Sequence, residues 1–175
     1  VSLQSTIDEE PAAIRPMTEA DIEPLRALAR EIWVRHYTPI IGSAQIEYML
    51  EQRYCPSVLG AELARSDIWW DLLFVAEAMR GYASCFVAEE ARMLKLDKLY
   101  IHPDLQRGGY GRRMLGHVIE RARVLGIGKI ALAVNKRNSN AIAAYEKWGF
   151  HIEQSVVKDI GNGFVMDDFI MAKEV

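Results

Sequence analysis

The segment Leu99-Tyr-Ile-His-Pro-Asp-Leu-Gln-Arg-Gly-Gly-Tyr-Gly111 passes from an apolar stretch through a glycine-rich turn into an amphipathic one. That order suits the capture of an anion. Amides at a helix N-terminus have no intrahelical partner, the helix dipole is positive there, and glycines let the backbone approach a ligand closely. Arg107 and Arg112 add positive charge. Spacing rules out two nucleotide-binding motifs. A Walker A loop ends in Gly-Lys-Ser/Thr, whereas Gly111 is followed by Arg112 and Arg113. A dinucleotide fingerprint requires a small residue where this chain has Met114.

A second informative stretch holds Asn138-Ser-Asn-Ala141 and Ala144-Tyr-Glu-Lys-Trp-Gly-Phe150. Together the two segments resemble the GNAT acetyltransferases, whose pyrophosphate loop, Gln/Arg-x-x-Gly-x-Gly/Ala, is matched by Gln106, Gly109 and Gly111. The resemblance is clear from about Leu72 to Val175 and keeps its order before that. It implies acetyl-CoA as co-substrate and no metal. By the same resemblance, Gln106, Arg107, Gly108, Gly109, Tyr110, Gly111 and Arg112 form the pyrophosphate loop. Backbone groups of Leu99, Tyr100 and Ile101 pair with pantetheine, and Asn138 hydrogen-bonds the cofactor arm. Tyr145 sits near the sulfur as donor or acid. The implied fold is a single-domain α/β structure. Its central mixed, mostly antiparallel sheet splays between the fourth and fifth strands and is flanked by about four helices.

Acetyl transfer to an amine needs a neutral nucleophile, stabilisation of the oxyanion and help for the departing thiolate. For an acceptor like lysine, about one molecule in 2,500 is neutral at pH 7, a cost of roughly 4.6 kcal/mol. A base or water chain is therefore expected. Several family members carry a glutamate on the strand before the loop, where this chain has Lys95; Asp97 is the nearest carboxylate and the candidate catalytic base, although pairing with a basic neighbour competes for it. His102 and His36 have suitable intrinsic pKa values, but His102, before Pro103, also reads as a solvated strand exit. A backbone amide at a strand bulge near Tyr100 or Ile101 is the expected oxyanion donor.

Acceptor recognition is expected in Glu31 to Tyr54 and the last hairpin, with Trp33, His36, Tyr37 and Tyr48 as candidate contacts. Such aromatics serve a core more often than a ligand. Glu47, Glu51, Asp167 and Asp168 could attract a cation, and a solvated acidic face is the default reading. The pattern through Tyr48-Met-Leu50 and Met166-Asp-Asp-Phe-Ile-Met-Ala-Lys173 is most similar to bacterial polyamine acetyltransferases, implying a small amine as partner. The alternatives are acetylation of a protein N-terminus or lysine, and a non-catalytic acyl-CoA-binding module.

These residues need elements to place them. The spacing predicts a strand at Ala13 to Arg15, helices opening at Thr18 and at Ser43 as N-cap, and a further helix over Ser57 to Arg65. Strands follow at Leu72 to Ala78 and Tyr82 to Ala88, joined by a turn at Met79-Arg-Gly81, then a third at Leu94 to Ile101. A helix from Tyr110 closes at Gly126, Lys129 to Val134 is a strand, Asn138 to Trp148 a helix, and Gly161-Asn-Gly163 joins two last strands. Residues 1–12 read as a polar tail and 13–175 as one acetyltransferase domain.

Composition agrees with one globular domain: 175 residues, 50% hydrophobic and 26% charged. A net charge of -3 and a pI near 5.8 argue against nucleic acid. No spanning run or basic leader is present, so a cytoplasmic location away from membranes is expected. Cys55 and Cys85 read as inert thiols. Apolar residues of the last strand (Phe164, Val165, Phe169, Ile170) make a homodimer an expectation through an exposed edge.

Overall fold

The structure, a computed structural model, describes residues 11–88 and 92–175. Most of the expected N-terminal tail thus lies outside the described residues. In chain order the elements are β1 (Ala12–Pro16), α1 (Ile22–Ile41), α2 (Ser43–Tyr54), α3 (Pro56–Leu63), β2 (Ile68–Val75), β3 (Ala78–Ala88), β4 (Met93–Ile101), α4 (Tyr110–Val124), β5 (Lys129–Asn135), α5 (Ser139–Lys147), β6 (His151–Gly161) and β7 (Phe164–Glu174). The seven strands form one sheet in the order β1-β2-β3-β4-β5-β7-β6. Neighbours are antiparallel except β4 and β5.

The parallel pair is where the sheet opens. Only Leu94↔Ile130, Lys95↔Ala131 and Leu96↔Leu132 are in register, and beyond them the two strands diverge, as expected. The edge of β4 facing β5 past Leu96 therefore carries backbone groups without a strand partner, in a molecule where such groups are normally paired.

Helices cover both faces. Helices α1 to α3 pack Leu25, Ile32, Trp33, Ile46, Tyr54 and Leu59 against Trp70, Leu72 and Tyr82. On the other face, α4 packs Met114, Leu115, Val118 and Ala122 against Leu73, Ala83, Leu94, Leu96 and Ile130, and α5 leans on the same cluster. Asp71 of β2, 1% exposed, ties α4 down by accepting from Arg121 at 2.5 and 3.0 Å and sits 3.2 Å from His117 Nε2.

Several boundaries differ from the sequence reading. The β2–β3 turn falls at Ala76-Glu77, both at positive φ (48° and 65°), and not at Met79-Arg-Gly81. Gly81 lies inside β3 beside a bulge, where a Cβ would come within 2.8 Å of both Ile101 Cδ1 and Tyr100 O; glycine here marks close approach, not a turn. The cap of α2 is Gly42, with Ser43 the first helical residue. Strand β7, whose apolar residues suggested an exposed edge, is internal, and the edge on its side of the sheet belongs to β6.

Candidate active site

The cleft begins at the glycine loop. Gly109 caps α4 in the left-handed conformation (φ 81°), which a residue with a Cβ adopts only under strain. The first intrahelical bond runs from Arg113 N to Gly109 O, so the amides of Tyr110, Gly111 and Arg112 have no helical acceptor. No acidic residue occupies that first turn. Gly111 has a packing reason as well: a Cβ there would lie 3.2 Å from Trp148 of α5. Gln106, Arg107, Gly108 and Arg112 are exposed beside these amides. The geometry is that of an anion cradle.

From the loop a cleft of ≈ 1240 Å³ runs between the splayed ends of β4 and β5 toward α1, α2 and β7. Leu99, Tyr100 and Ile101 form one wall, and Tyr145 and Asn138 line the same space. Tyr145 is held edge-on by Trp148 (5.7 Å between ring centroids) and Phe150 (5.5 Å). Burial, with a smaller contribution from nearby Tyr37, pushes its phenol above the ordinary tyrosine value, so it stays protonated as a donor. Asn138 is buried and caps α5, its Oδ1 accepting from Ala141 N at 3.3 Å. The amide end of Asn138 neighbours His36 and Tyr37.

A bulge in β4 organises the far wall. Ser84 pairs with Lys98 and Cys85 with Leu96, which leaves Asp97 without an opposite residue. The extra residue inverts the strand's facing. Leu94 and Leu96 belong to the α4 side, whereas Lys98 sits 4.6 Å over the Trp70 ring and Tyr100 packs on Tyr82, both on the α1–α3 side. Leu99 and Ile101 take over the α4 side. The bulge therefore lies at Asp97, not near Tyr100 or Ile101. The sequence carries its trace: the apolar positions are 94 and 96, then 99 and 101, a phase slip of one residue.

Asp97 accepts from Arg53 Nη2 at 2.8 Å through both oxygens and from Lys98 Nζ at 2.5 Å. Burial raises its pKa, but the charges of Lys98 and Arg53 outweigh that and hold it at about 2. A carboxylate so engaged is poorly placed to take a proton from an amine. Lys98 responds oppositely: burial of its ammonium lowers its pKa, with Asp97 partly offsetting the loss.

The four aromatic candidates all line the cleft but differ in freedom. Trp33 is core, stacked among Tyr37, Tyr54 and Tyr100. Tyr48 Oη donates to Ile160 O at 2.8 Å, and Gly161 is required beside it, since a Cβ there would meet that oxygen at 2.6 Å. Tyr37 and Tyr100 share a hydrogen bond at 3.3 Å. His36 is half-buried, and burial lowers its pKa, keeping the ring neutral at pH 7. His102 is buried, not solvated, with Nε2 2.9 Å from Glu31.

Sequence reasoning named Asp168 among four acids that could attract a cation, with a solvated face as the default. It is 8% exposed, lines the cleft from β7, and its Oδ1 has no hydrogen-bond partner among the described residues.

The acetyltransferase (GNAT) family profile matches residues 26–150. The chain belongs to the GNAT acetyltransferase family. It is 28% identical over 159 residues to a spermidine N(1)-acetyltransferase of Thermoplasma acidophilum, covering 88% of this chain and 94% of that protein. The crystal structure of PaiA N-acetyltransferase from Thermoplasma acidophilum in complex with coenzyme A superposes with a TM-score of 0.83 at 27% identity, over 94% of this chain and 99% of that one. A shorter match, 37% identical over 65 residues, is to the [ribosomal protein bS18]-alanine N-acetyltransferase of Escherichia coli, covering 37% of this chain and 42% of that protein. This GNAT enzyme is thus an N-acetyltransferase with the pattern of the polyamine-type members. No helix among its described residues is long and apolar enough to cross a membrane.

Proposed function

We propose that this GNAT enzyme transfers the acetyl group of acetyl-CoA to a primary amine of a small, polyamine-type molecule, by direct attack while both substrates are bound. The observation that carries this reading is the continuity of the cleft. One passage joins the free amides of α4, the unpaired edge of β4, Tyr145 and the α1–α2–β7 end. The residues fit a nucleotide-linked thioester. Tyr110, Gly111 and Arg112 amides hold its pyrophosphate, with Arg107 and Gln106 alongside, and the open β4 edge from Leu99 to Ile101 accepts its amide arm as an added strand.

Tyr145 donates its proton toward the departing sulfur, and the protonated state that its surroundings enforce suits that role. Taking about 8.5 for a thiol and about 10 for an unperturbed phenol, full transfer is uphill by roughly 2 kcal/mol, and more for a phenol raised further. A hydrogen bond that strengthens in the transition state is therefore the better description. Asp97 lines the cleft, and the irregular backbone there supplies amides for the carbonyl oxygen. Asp97 itself fixes Arg53 and Lys98, and water in the cleft accepts the amine's proton. The acceptor end is roofed by α1 and α2, which favours a small amine over an extended peptide.

The test is acetyl-CoA turnover, followed as free thiol, across polyamines, amino acids, aminoglycosides and short peptides. Release that depends on polyamine supports the reading. Release only with peptides overturns the acceptor class, and tight coenzyme A binding without any turnover favours a binding module.

A further inference from the structure

We propose that Asp168 anchors a second, non-reacting ammonium group of the acceptor, so that the site selects amines carrying at least two positive charges. This rests on the acetyltransferase reading above and deepens it by assigning the selection to one residue.

Among the described residues, three carboxylates line the cleft: Asp97, Asp159 and Asp168. The protein engages two of them. Asp97 is held by Arg53 and Lys98, and Asp159 Oδ1 accepts from Gly161 N at 2.8 Å. The neighbouring Asp167 is paired as well, with Lys136. Asp168 has no ion pair among the described residues, and its buried Oδ1 has no donor. An uncompensated buried carboxylate is costly, and a structural role would provide a partner. A primary ammonium brings three N–H donors and a positive charge, which is what this cleft-lining carboxylate lacks.

The surroundings supply that charge only in part: Arg53 and Lys136 act on Asp168 through space, without an ion pair to it among the described residues. Arg53 on α2 is committed to Asp97, Lys136 to Asp167, and His36 on α1 is neutral at pH 7. Lys158 on β6 lines the cleft without an ion pair among the described residues. Tyr37 and Tyr100 add aromatic faces, which favour a cation. Burial, reinforced by Asp167, raises the carboxyl pKa, as expected for a charge awaiting its counter-ion.

Position separates this subsite from the reacting centre. Asp168 pairs with Asn135, three residues beyond Leu132, the last β5 residue in register with β4. At the rise of a strand that is about 10 Å along β5 from the splay. A chain of amines can reach from one point to the other. A short monoamine cannot.

The experiment compares the wild-type enzyme with Asp168→Asn, an isosteric change, using spermidine and n-hexylamine as acceptors, with coenzyme A affinity and thermal unfolding measured in parallel. The variant is expected to lose about tenfold or more in kcat/KM for spermidine, mainly through KM, the scale of a charge-assisted hydrogen bond. Values for n-hexylamine and coenzyme A should stay within about twofold on the same reasoning, and the melting temperature should hold or rise. Unchanged spermidine kinetics, equal loss for both amines, or a fall in melting temperature would each overturn the anchor. If the wild type acetylates no amine, the acetyltransfer reading fails separately. Calorimetric titration of spermidine into the coenzyme A-loaded protein still tests Asp168: weaker binding by the variant supports the anchor, and equal binding overturns it.

Discussion

Tyr145 and Asp97 both came forward as catalytic candidates, and their surroundings hold them in opposite protonation states. Burial keeps the Tyr145 phenol protonated, while two cations keep the Asp97 carboxyl ionised. Tyr145→Phe preserves the ring packing on Trp148 and Phe150 and removes only the hydroxyl, so kcat should fall about 10²-fold with coenzyme A affinity unchanged, as single-turnover kinetics and calorimetry would read. Asp97 predicts a stability effect instead. Its folded pKa of about 2 lies below the ordinary aspartate value of 3.8, so its contribution is full only well above that ordinary value and is lost as pH falls toward 2. The loss is about 2 kcal/mol. Asp97→Asn should flatten that acid limb of a denaturation series while lowering stability at pH 7. For Asp168 the sign reverses: its raised pKa makes the charge a penalty at neutral pH that vanishes on acidification, so the gain from Asp168→Asn should fade as pH drops. Residue type and spacing singled out the loop glycines, and the family resemblance singled out Tyr145. Neither could announce which acids are paired, because Arg53 and Asp97 are 44 positions apart and meet only in the fold.

Among the elements, the two bulges show where pattern reading succeeds and fails. The loop into α4 was legible because its requirement, positive φ at Gly109 and close packing at Gly111, is met by glycine and so leaves a mark. The β2–β3 turn was not, because Ala76 and Glu77 adopt positive φ without glycine or asparagine, and Gly81 five residues on drew the turn to itself. The bulge at Asp97 needs no special residue, only a slip in alternation, and is visible in Leu94, Leu96, Leu99 and Ile101 once one looks for phase instead of composition. Gly81 gives the test at this scale. Its missing Cβ makes room for Ile101 and for the Tyr100 carbonyl, so Gly81→Ala should overpack the β3–β4 seam and cost about 1–3 kcal/mol. For a domain of this size the melting temperature should drop by several degrees, about 2–4 °C per kcal/mol, and kcat/KM should fall with it, since Tyr100 and Ile101 line the cleft.

At the scale of the whole molecule, the splay creates a mechanical problem that the sequence order conceals. The sheet's two halves share only three residue pairs at β4–β5, and beyond those nothing in the sheet holds them together. The bridge is made above the cleft by α1 and α2. Arg137, from the β5–α5 turn, donates to the carbonyls of Pro39 (3.2 Å) and Ile40 at the end of α1. Gln45 of α2 donates to Val165 O at 2.9 Å, and Tyr48 to Ile160 O at 2.8 Å. These bonds close the acceptor end while leaving the loop of α4 untouched. Tyr48, a candidate substrate contact, therefore works at least as much as a tie between halves. Removing two of these three ties together, with Arg137→Ala and Tyr48→Phe in one chain, should raise KM for the amine about tenfold while coenzyme A affinity changes little, and should speed hydrogen exchange along β6 and β7. If exchange quickens and the amine KM does not move, the roof is structural and the acceptor is held by the cleft floor. If coenzyme A affinity falls in step with the amine's, the two ends of the cleft are coupled through the splay itself.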